Sequence, residues 1–192
     1  GATFTPIGTA YDVPFAGSYD GGGHVISNLS VSTEGANAGL FGYLKDAEVK
    51  DITIEGATVN SGANYAGAIA GVLNGGSISG CRVDENSNIT SAARGAGGIV
   101  GFVRSGKISE CASHAIMAAG TDVAGGVAGY LNTNAATNDI LVINCTFEPV
   151  YKDGKMAAAT LTTAAANAYM GGIAGSANAQ DGMGQIRIAN CY

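Results

Sequence analysis

The stretch "SYDGGGHVISNL", residues 18–29, places three glycines beside an aspartate and a histidine, residue types that can hold a phosphate group or a metal ion. Glycine adopts positive φ without a steric penalty, so the same stretch also suits a tight turn. A phosphate-binding glycine loop needs a strand before it and a helix after it. Here a strand-like segment follows the glycines instead of a helix. The glycines themselves stand where the other repeats have short polar turns. We therefore predict a corner between strands.

The acidic residues are the main test for an enzyme, because a glycosidase needs two carboxylates about 5 to 9.5 Å apart. Three acids lie in or beside repeated strand segments, where stacking can bring carboxylates together: Glu48, Asp51 and Glu110. Equivalent positions in other repeats hold Ser, Lys, Gly or Asn, which is typical of a solvated face. We expect no catalytic residues, no cofactor and no metal. A polysaccharide-degrading lyase or glycosidase is the alternative.

The four cysteines occur once per repeat, at the position that Leu29 and Ile52 hold in the first two repeats: Cys81, Cys111, Cys145 and Cys191. A cysteine that alternates with Leu and Ile behaves as a small buried hydrophobe. One cysteine per repeat does not match the C-x₂-C spacing of zinc sites. Parallel Cβ vectors on stacked strands are also unfavourable for a disulfide. We predict that the six side chains form one buried core column with free thiols.

The positions of these residues follow from an internal repeat, which is the strongest signal in the sequence. The anchors Leu29, Ile52, Cys81, Cys111, Cys145 and Cys191 are spaced 23, 29, 30, 34 and 46 residues apart. A glycine box precedes each of the last five anchors: "AGLFGYL" (38–44), "AGAIAGVL" (66–73), "GGIVGFV" (97–103), "GGVAGYL" (125–131) and "GGIAGSA" (171–177). The extra length of the last two units falls in "NTNAATNDI" (132–140) and "YKDGKMAAATLTTAAANAY" (151–169). Insertions confined to such segments are what surface loops tolerate.

Short apolar runs with Gly, Ser and Asn corners, repeated about every 30 residues, favour one strand-rich turn per repeat over paired helices. We predict an all-β fold, a parallel β-helix (β-solenoid) of about six right-handed turns, with loop insertions in the last two turns. Residues 1–192 form a single domain, in which 1–31 are an N-terminal unit and candidate cap and 32–192 hold five glycine-box repeats. The chain ends inside a strand motif, "NCY", from which we predict a fragment or a continuation into further sequence.

Composition narrows the classes of partner. The chain of 192 residues has a net charge of −6, 46% hydrophobic and 7% aromatic residues, 31 Gly and 3 Pro. The acidic balance and the lack of a basic run argue against nucleic acid as a partner. No run approaches the ~20 apolar residues of a membrane-spanning helix, so we expect no membrane insertion.

The quoted segments "FAGSYDGGGHVISNLSV", "AGLFGYLKDAEVKDITIEGATV" and "GGIVGFVRSGKISEC" resemble GLUG-repeat proteins, a family of bacterial surface and secreted chains. The resemblance covers essentially the whole chain, and its Gly-Leu-Phe-Gly form stands at 39–42. It implies a β-helix stalk of the kind found in adhesin-like proteins and in non-catalytic parts of immunoglobulin A-cleaving metallopeptidases. The H-E-x-x-H zinc motif of such a peptidase is not present in this sequence.

Two further patterns follow the repeat. The residue after the last box glycine is often aromatic: Tyr43, Val72, Phe102, Tyr130 and Ser176. We expect these side chains to pack against an inner face or under a loop, and a flat sugar-stacking surface is the alternative. Asn-x-Ser/Thr occurs at Asn28, Asn88 and Asn144. We align Asn28 with Asn144 beside the anchor, where repeat chemistry explains the match and stacked asparagines can hydrogen-bond.

From these patterns we predict a non-enzymatic, extracellular or cell-surface module that is adhesin-like or a spacer. Its partners would be a host glycan or protein, or other domains of the same longer chain. Long insertions on a rigid rod are where binding residues concentrate. The candidate ligand surface is therefore Tyr151, Lys152 and Tyr169.

Overall fold

Short strands joined at tight corners wind into a parallel β-solenoid. The structure is a computed structural model that describes residues 3–120, 122–148, 151–152, 155–156, 161–163 and 168–192. The all-β parallel β-helix prediction is confirmed, and within these ranges no residue is helical. Accordingly, no described helix is of the length and apolarity that crossing a membrane requires.

The strands fall into successive turns of the solenoid. An incomplete turn that precedes turn 1 contains β1 (Ser18–Asp20), β2 (Val25–Ser27) and β3 (Ser30–Thr33). Turn 1 contains β4 (Phe41–Lys50), β5 (Thr53–Glu55), β6 (Thr58–Ser61) and β7 (Tyr65–Gly67). Turn 2 contains β8 (Ala70–Ser79), β9 (Arg82–Val83), β10 (Asn88–Ser91) and β11 (Gly95–Gly97). Turn 3 contains β12 (Val100–Ser109), β13 (Ala112–Ser113), β14 (Ile116–Ala119) and β15 (Val123–Gly125).

Turn 4 contains β16 (Ala128–Thr133), β17 (Ile140–Ile143), β18 (Thr146–Phe147), β19 (Tyr151–Lys152), β20 (Lys155–Met156), β21 (Leu161–Thr163) and β22 (Tyr169–Gly171). An incomplete last turn contains β23 (Ala174–Ala179) and β24 (Ile186–Ala189). Four turns are therefore complete, and the predicted count of six includes the two incomplete ones. The first predicted insertion, at 132–140, is present, because residues 134–139 separate β16 from β17. The second, at 151–169, lies largely outside the described residues, and residues 180–185 form a further interruption, between β23 and β24.

Equivalent strands pair in parallel and build four sheets along the rod. Sheet I is β1-β4-β8-β12-β16-β23, with β17 paired to β12 and β24 paired to β17. Sheet II is β2-β5-β9-β13-β18, sheet III is β3-β6-β10-β14-β21, and sheet IV is β7-β11-β15-β22. β19 and β20 form a separate antiparallel pair. The chain passes through sheets I to IV in order and then returns to sheet I one turn further along the rod.

The core is a set of inward columns, because alternate residues of a strand point to opposite faces. In sheet I one column contains Val49, Ile78, Ile108 and Val142, all fully buried. Ile188 stands next in that column on the last strand and is 42% exposed. All described buried side-chain nitrogen and oxygen atoms have a hydrogen-bond partner. The buried apolar side chains form one continuous cluster from turn 1 to turn 4.

Five of the six predicted anchor residues stack at the corner between sheets I and II: Ile52, Cys81, Cys111, Cys145 and Cys191. Leu29 is buried but does not belong to this column. Ser30 pairs with Thr58, which puts Leu29 over Ala57 at the corner between sheets II and III. The reason is that Tyr19, and not Ile26, stacks on Val49 in the first unit.

The same shift corrects the alignment of the asparagines. A column at the corner between sheets I and II has positive φ on every turn: Asp51, Gly80, Glu110, Asn144 and Asn190. Asn28 also has positive φ, but it lies one corner further along, after β2. The predicted asparagine ladder is present between Asn190 and Asn144, where Nδ2 donates to Oδ1 at 3.3 Å.

The stretch 18–29 is a corner, as predicted. The backbone N–H of Gly22 donates to Asp20 Oδ1 at 2.9 Å, and the N–H of His24 donates to the carbonyl of Gly21 at 2.9 Å. Gly22 and Gly23 have φ of 59° and 76°, in the left-handed region that favours glycine. The turn joins β1 of sheet I to β2 of sheet II.

The glycine box builds the corner between sheets IV and I. A Cβ added to Gly97 would lie 2.0 Å from the carbonyl oxygen of Val100, and one added to Gly125 would lie 1.9 Å from that of Ala128. Neither distance is possible for a real side chain. The box therefore allows the backbone to fold back tightly, and it places the outer faces of sheets IV and I side by side.

The N-terminal segment runs along the outside of the first edge. Ile7 bridges to Phe41, and Phe15 bridges to Leu44, both in parallel orientation. Tyr11 contacts Tyr43 edge to face, with ring centroids 5.9 Å apart. These contacts show that the N-terminal segment covers the edge of β4 that faces away from β8.

Candidate ligand-binding groove

The residues that follow the box glycines form one column on the outer face of sheet I. Strand register places Tyr43, Val72, Phe102, Tyr130 and Ser176 on consecutive turns. Tyr43, Val72 and Phe102 are at most 7% exposed and form a cluster separate from the interior core, with Tyr65 and Tyr130 packed against it. The sequence favoured a packed cluster, with a stacking surface as the alternative. The packed cluster describes the first three residues, whereas Tyr130 is partly exposed.

Tyr65 joins this cluster from sheet IV. Its ring stacks on Phe102 with centroids 4.5 Å apart and planes 25° apart. Phe102 in turn stacks on Tyr130, with centroids 5.5 Å apart and planes 18° apart. Three rings from two sheets and three turns thus form one continuous aromatic stack, which is the floor of a groove.

The groove has a volume of about 340 Å³ and lies between sheets IV and I. We call it the aromatic groove, and its lining residues are Tyr65, Arg94, Asp122, Val123, Tyr130, Tyr169, Ser176 and Asn178. An adjoining hollow continues it over the same aromatic stack and adds Phe102, Arg104, Asn132 and Asn134. The lining therefore combines aromatic rings with guanidinium, amide and hydroxyl groups.

Two arginines hold their guanidinium groups over the stack. Arg94 Cζ lies 6.0 Å from the centroid of Tyr65, and Arg104 Cζ lies 5.6 Å from the centroid of Phe102. A cation over a ring face is attracted by the ring's negative quadrupole. Interaction with Tyr65, with a smaller contribution from nearby Asp122, raises the pKa of Arg94. A guanidinium group stays protonated in proteins, so each arginine brings a positive charge to the groove.

Hydrogen bonds also orient the tyrosine hydroxyl on the sheet I side. Asn132 Nδ2 donates to Tyr130 Oη at 2.9 Å. This amide lies two residues along β16 from Tyr130, so both side chains project from the same outer face. The hydroxyl of Tyr130 keeps its own proton available for a ligand, because it accepts in this bond.

One of the three predicted ligand residues lies in the aromatic groove. Tyr169 is 65% exposed, and its backbone N–H donates to the carbonyl of Asp122 at 2.9 Å. It stands in the same sheet IV column as Tyr65 and Val123. Tyr151 and Lys152 form β19, but their side chains lie outside the described part of the structure.

Sequence reasoning missed Tyr65, Arg94 and Arg104. A signal for Tyr65 was present, because "YAG" at 65–67 and "YMG" at 169–171 put a tyrosine two residues before the first glycine of the corner. The two arginines carry no repeat signal. Their position over the aromatic rings depends on how closely sheet IV approaches sheet I. The spacing of residues in the sequence does not specify that distance.

The three acids that could have formed a catalytic pair are separated by stacking. Glu48 is flanked on adjacent turns by Ser18 and Ser77. Gly80 stands between Asp51 and Glu110 in the column with positive φ, which puts their backbones roughly 9.6 Å apart at two strand spacings. All three acids are exposed. Among the described residues, no group of three His, Cys, Asp or Glu side chains is arranged to hold a metal ion.

A second hollow of about 420 Å³ lies on the outer face of sheet II. It is lined by Arg82, Glu110, Cys111, Ala112, His114, Asn144, Thr146, Glu148 and Tyr192. It contains two carboxylates and a histidine but only one aromatic residue with an exposed ring, Tyr192, which is 77% exposed. It is therefore a different kind of surface from the aromatic groove.

The cysteine column is mostly buried and holds no exposed thiol. Cys81, Cys111 and Cys145 are buried, Cys191 is partly buried, and all four thiols are free. Each Sγ contacts the carbonyl oxygen two residues earlier, at 3.2 to 3.4 Å. Hydrogen bonding with Cys145 and Cys81, together with burial, raises the pKa of Cys111 well above that of an ordinary thiol. This thiol is therefore neutral at pH 7.

Fold and groove define the chain as a β-solenoid with an aromatic surface site. In comparison with known proteins, a stretch of 79 residues is 47% identical to halomucin from Haloquadratum walsbyi (strain DSM 16790 / HBSQ001). The match covers 39% of this chain and 1% of halomucin, so the chain spans about 1% of that protein's length. No family model matches the chain, and the resemblance to GLUG repeats stays a prediction. No solved structure matches it.

Proposed function

We propose that the chain is a non-enzymatic, adhesin-like module of a cell-surface or secreted protein, and that it binds glycans in the aromatic groove. The observation that carries this proposal is the Tyr65–Phe102–Tyr130 stack with the exposed ring of Tyr169 beside it. Apolar surface rimmed by polar residues is a common feature of ligand-binding grooves.

The chemistry of the groove suits a sugar chain. A pyranose ring has an apolar C–H face that packs on an aromatic ring, and hydroxyls at its edge that need hydrogen-bond partners. The groove supplies the rings of Tyr130 and Tyr169 for the first contact and the amides of Asn132 and Asn178 for the second. Because these groups stand on paired strands, little conformational entropy is lost when a ligand binds.

The fold and the partial match support the proposed location. A β-solenoid fold and a stretch similar to a protein named halomucin are consistent with a surface or extracellular module. The GLUG-repeat resemblance of the sequence favours the same location. In this arrangement the rod acts as a spacer that holds the groove away from neighbouring domains of a longer chain.

Two exposed tyrosines provide a matched test of the binding site. Tyr169 lies in the aromatic groove and Tyr192 lies at the second hollow, and both rings are at least 65% exposed. We expect Tyr169→Ala to weaken binding of glycan-array hits about tenfold by calorimetry, since it removes one ring contact. Tyr192→Ala should leave affinity unchanged. Equal effects of both changes, or no glycan bound by the wild type, would reject the proposal.

The alternative function, polysaccharide cleavage, has its own observation. The second hollow brings Glu110 and Glu148 to one surface, and a glycosidase uses a pair of carboxyl groups. A screen for reducing ends released from acidic and neutral polysaccharides tests it. Activity that is abolished by Glu110→Gln, but retained by Glu85→Gln, would favour the enzyme over the binding module.

A further inference from the structure

The aromatic groove is a local cationic site in an acidic chain. The whole sequence has a net charge of −6, yet two arginines and one aspartate, Asp122, line the groove and the hollow that continues it. The described residues form an ion pair between Lys50 and Asp20, whose nitrogen and oxygen atoms lie within 4 Å of each other. This pair lies at a different place on the rod. The charges of Arg94 and Arg104 are thus not neutralised at short range by a described carboxylate.

Stacking also leaves the two guanidinium groups prepared to bind an anion. A guanidinium has five N–H donors in a fixed plane, and a ring face below it uses none of them. These donors match the two oxygens of a carboxylate or the three of a sulfate, which arginine binds in a bidentate manner.

We propose that the ligand of the aromatic groove is an acidic glycan, a sugar chain that carries carboxylate or sulfate groups; this inference rests on the proposed function. Sugar rings pack against Tyr130 and Tyr169, their hydroxyls bind Asn132 and Asn178, and the acidic groups bind Arg94 and Arg104. The rings of Tyr130 and Tyr169 favour a glycan over an acidic peptide, because a pyranose has an apolar face that packs on them and a chain of glutamates does not.

Calorimetry with four hexamers tests this assignment on the full chain: an oligogalacturonate, a heparin-derived sulfated oligosaccharide, a neutral cello-oligosaccharide and hexaglutamate. We expect an acidic glycan to bind at least about tenfold more tightly than the neutral one, since charge-assisted hydrogen bonds are the stronger kind. The affinity should fall as salt rises from about 50 to 300 mM, because the arginines are partly exposed. The better acidic glycan shows whether the groove prefers carboxylate or sulfate.

Arginine variants separate this inference from general attraction. Arg94→Gln and Arg104→Gln should each lower affinity for the acidic glycan about tenfold and lower affinity for the neutral glycan by a clearly smaller factor. Arg187→Gln is the matched control, because Arg187 is exposed on β24 and lies outside the groove. Circular dichroism and thermal unfolding of each variant verify that the fold is retained.

The outcomes are distinguishable. Equal affinity for acidic and neutral glycans that Tyr169→Ala weakens would overturn the acidic assignment while the proposed function stands. Tighter binding of hexaglutamate than of either acidic glycan would overturn it in favour of a protein partner. Loss of affinity in Arg187→Gln as large as in Arg94→Gln would reject the groove as the anion site. If no glycan binds, the proposed function itself fails.

Discussion

Tyr65 and Phe102 stack with ring centroids 4.5 Å apart, although Tyr65 belongs to sheet IV and Phe102 to sheet I. The pair therefore connects the two walls of the aromatic groove across the corner that the glycine box builds. Because Phe102 also stacks on Tyr130, it is the central ring of the groove floor. The shape of the groove and part of the stability of the fold depend on the same side chain.

We expect Phe102→Ala to lower the free energy of unfolding by about 3 kcal/mol, at the lower end for a buried phenylalanine, because this ring lies on the outer face. Urea unfolding measures the loss, and Phe4→Ala is the control, since Phe4 is 39% exposed. The change should also weaken glycan binding, because Tyr65 and Tyr130 lose the ring between them. A loss no larger than that of Phe4→Ala would contradict the packing described for the stack.

Two glycine-to-alanine changes test the steric basis of the box. In Gly125→Ala the new Cβ would approach the Ala128 carbonyl oxygen to 1.9 Å, whereas in Gly35→Ala it has nothing within 4 Å. We expect the first change to destabilise by about 3 kcal/mol or more, as overpacking against backbone does. The second should be neutral, or stabilising by up to about 1 kcal/mol through the unfolded chain. Similar melting temperatures for the two variants would be evidence against the tight corner.

The sequence predicts the fold well because stacked turns repeat the same environment. A position such as that of Val49 keeps an apolar side chain on every turn, since its neighbours above and below are its own equivalents. The box glycines are likewise repeated because each turn has the same close backbone approach. The repeat pattern of the sequence therefore predicts the all-β class, the parallel pairing of the strands and most of their register.

The parts that the sequence did not predict depend on which corner a residue occupies. Asn28 and Asn144 both have left-handed backbone and both stand next to a buried anchor, but at different corners, so the pattern alone aligned them wrongly. The stack of Tyr65 on Phe102 joins residues 37 positions apart in different sheets. Such a contact follows from the angle between sheets, which no spacing encodes.

Thiol accessibility provides a check on the anchor column. Cys81, Cys111 and Cys145 are at most 1% exposed, whereas Cys191 is partly buried on the last turn. We expect a thiol reagent to label Cys191 first in the native protein, and the other three only after unfolding in urea. Mass spectrometry of the labelled peptides identifies each site. Fast labelling of Cys111 in the native protein, or a disulfide in the untreated protein, would contradict a buried column of free thiols.

Asp84 makes the stability of the fold depend on pH. Its carboxylate accepts hydrogen bonds from the Gly56 N–H at 2.9 Å, from Ser87 Oγ at 2.6 Å and from Asn86 Nδ2 at 2.9 Å. Burial raises the pKa of Asp84, but these hydrogen bonds outweigh it, so the pKa lies below that of an ordinary aspartate. The ionised form is therefore preferred in the folded state, and the Asp84 carboxylate links turn 1 to turn 2.

A carboxyl group whose pKa is lowered on folding contributes stability above its unfolded pKa of about 3.9, and that contribution is lost as pH falls through the folded value. We expect Asp84→Asn to cost about 1 to 2 kcal/mol at neutral pH, where it replaces a charged acceptor of three hydrogen bonds. The difference from wild type should shrink below about pH 4. Urea unfolding at several pH values measures it, with exposed Glu85→Gln as the control. A difference that is constant across this range would mean that the Asp84 charge does not stabilise the corner.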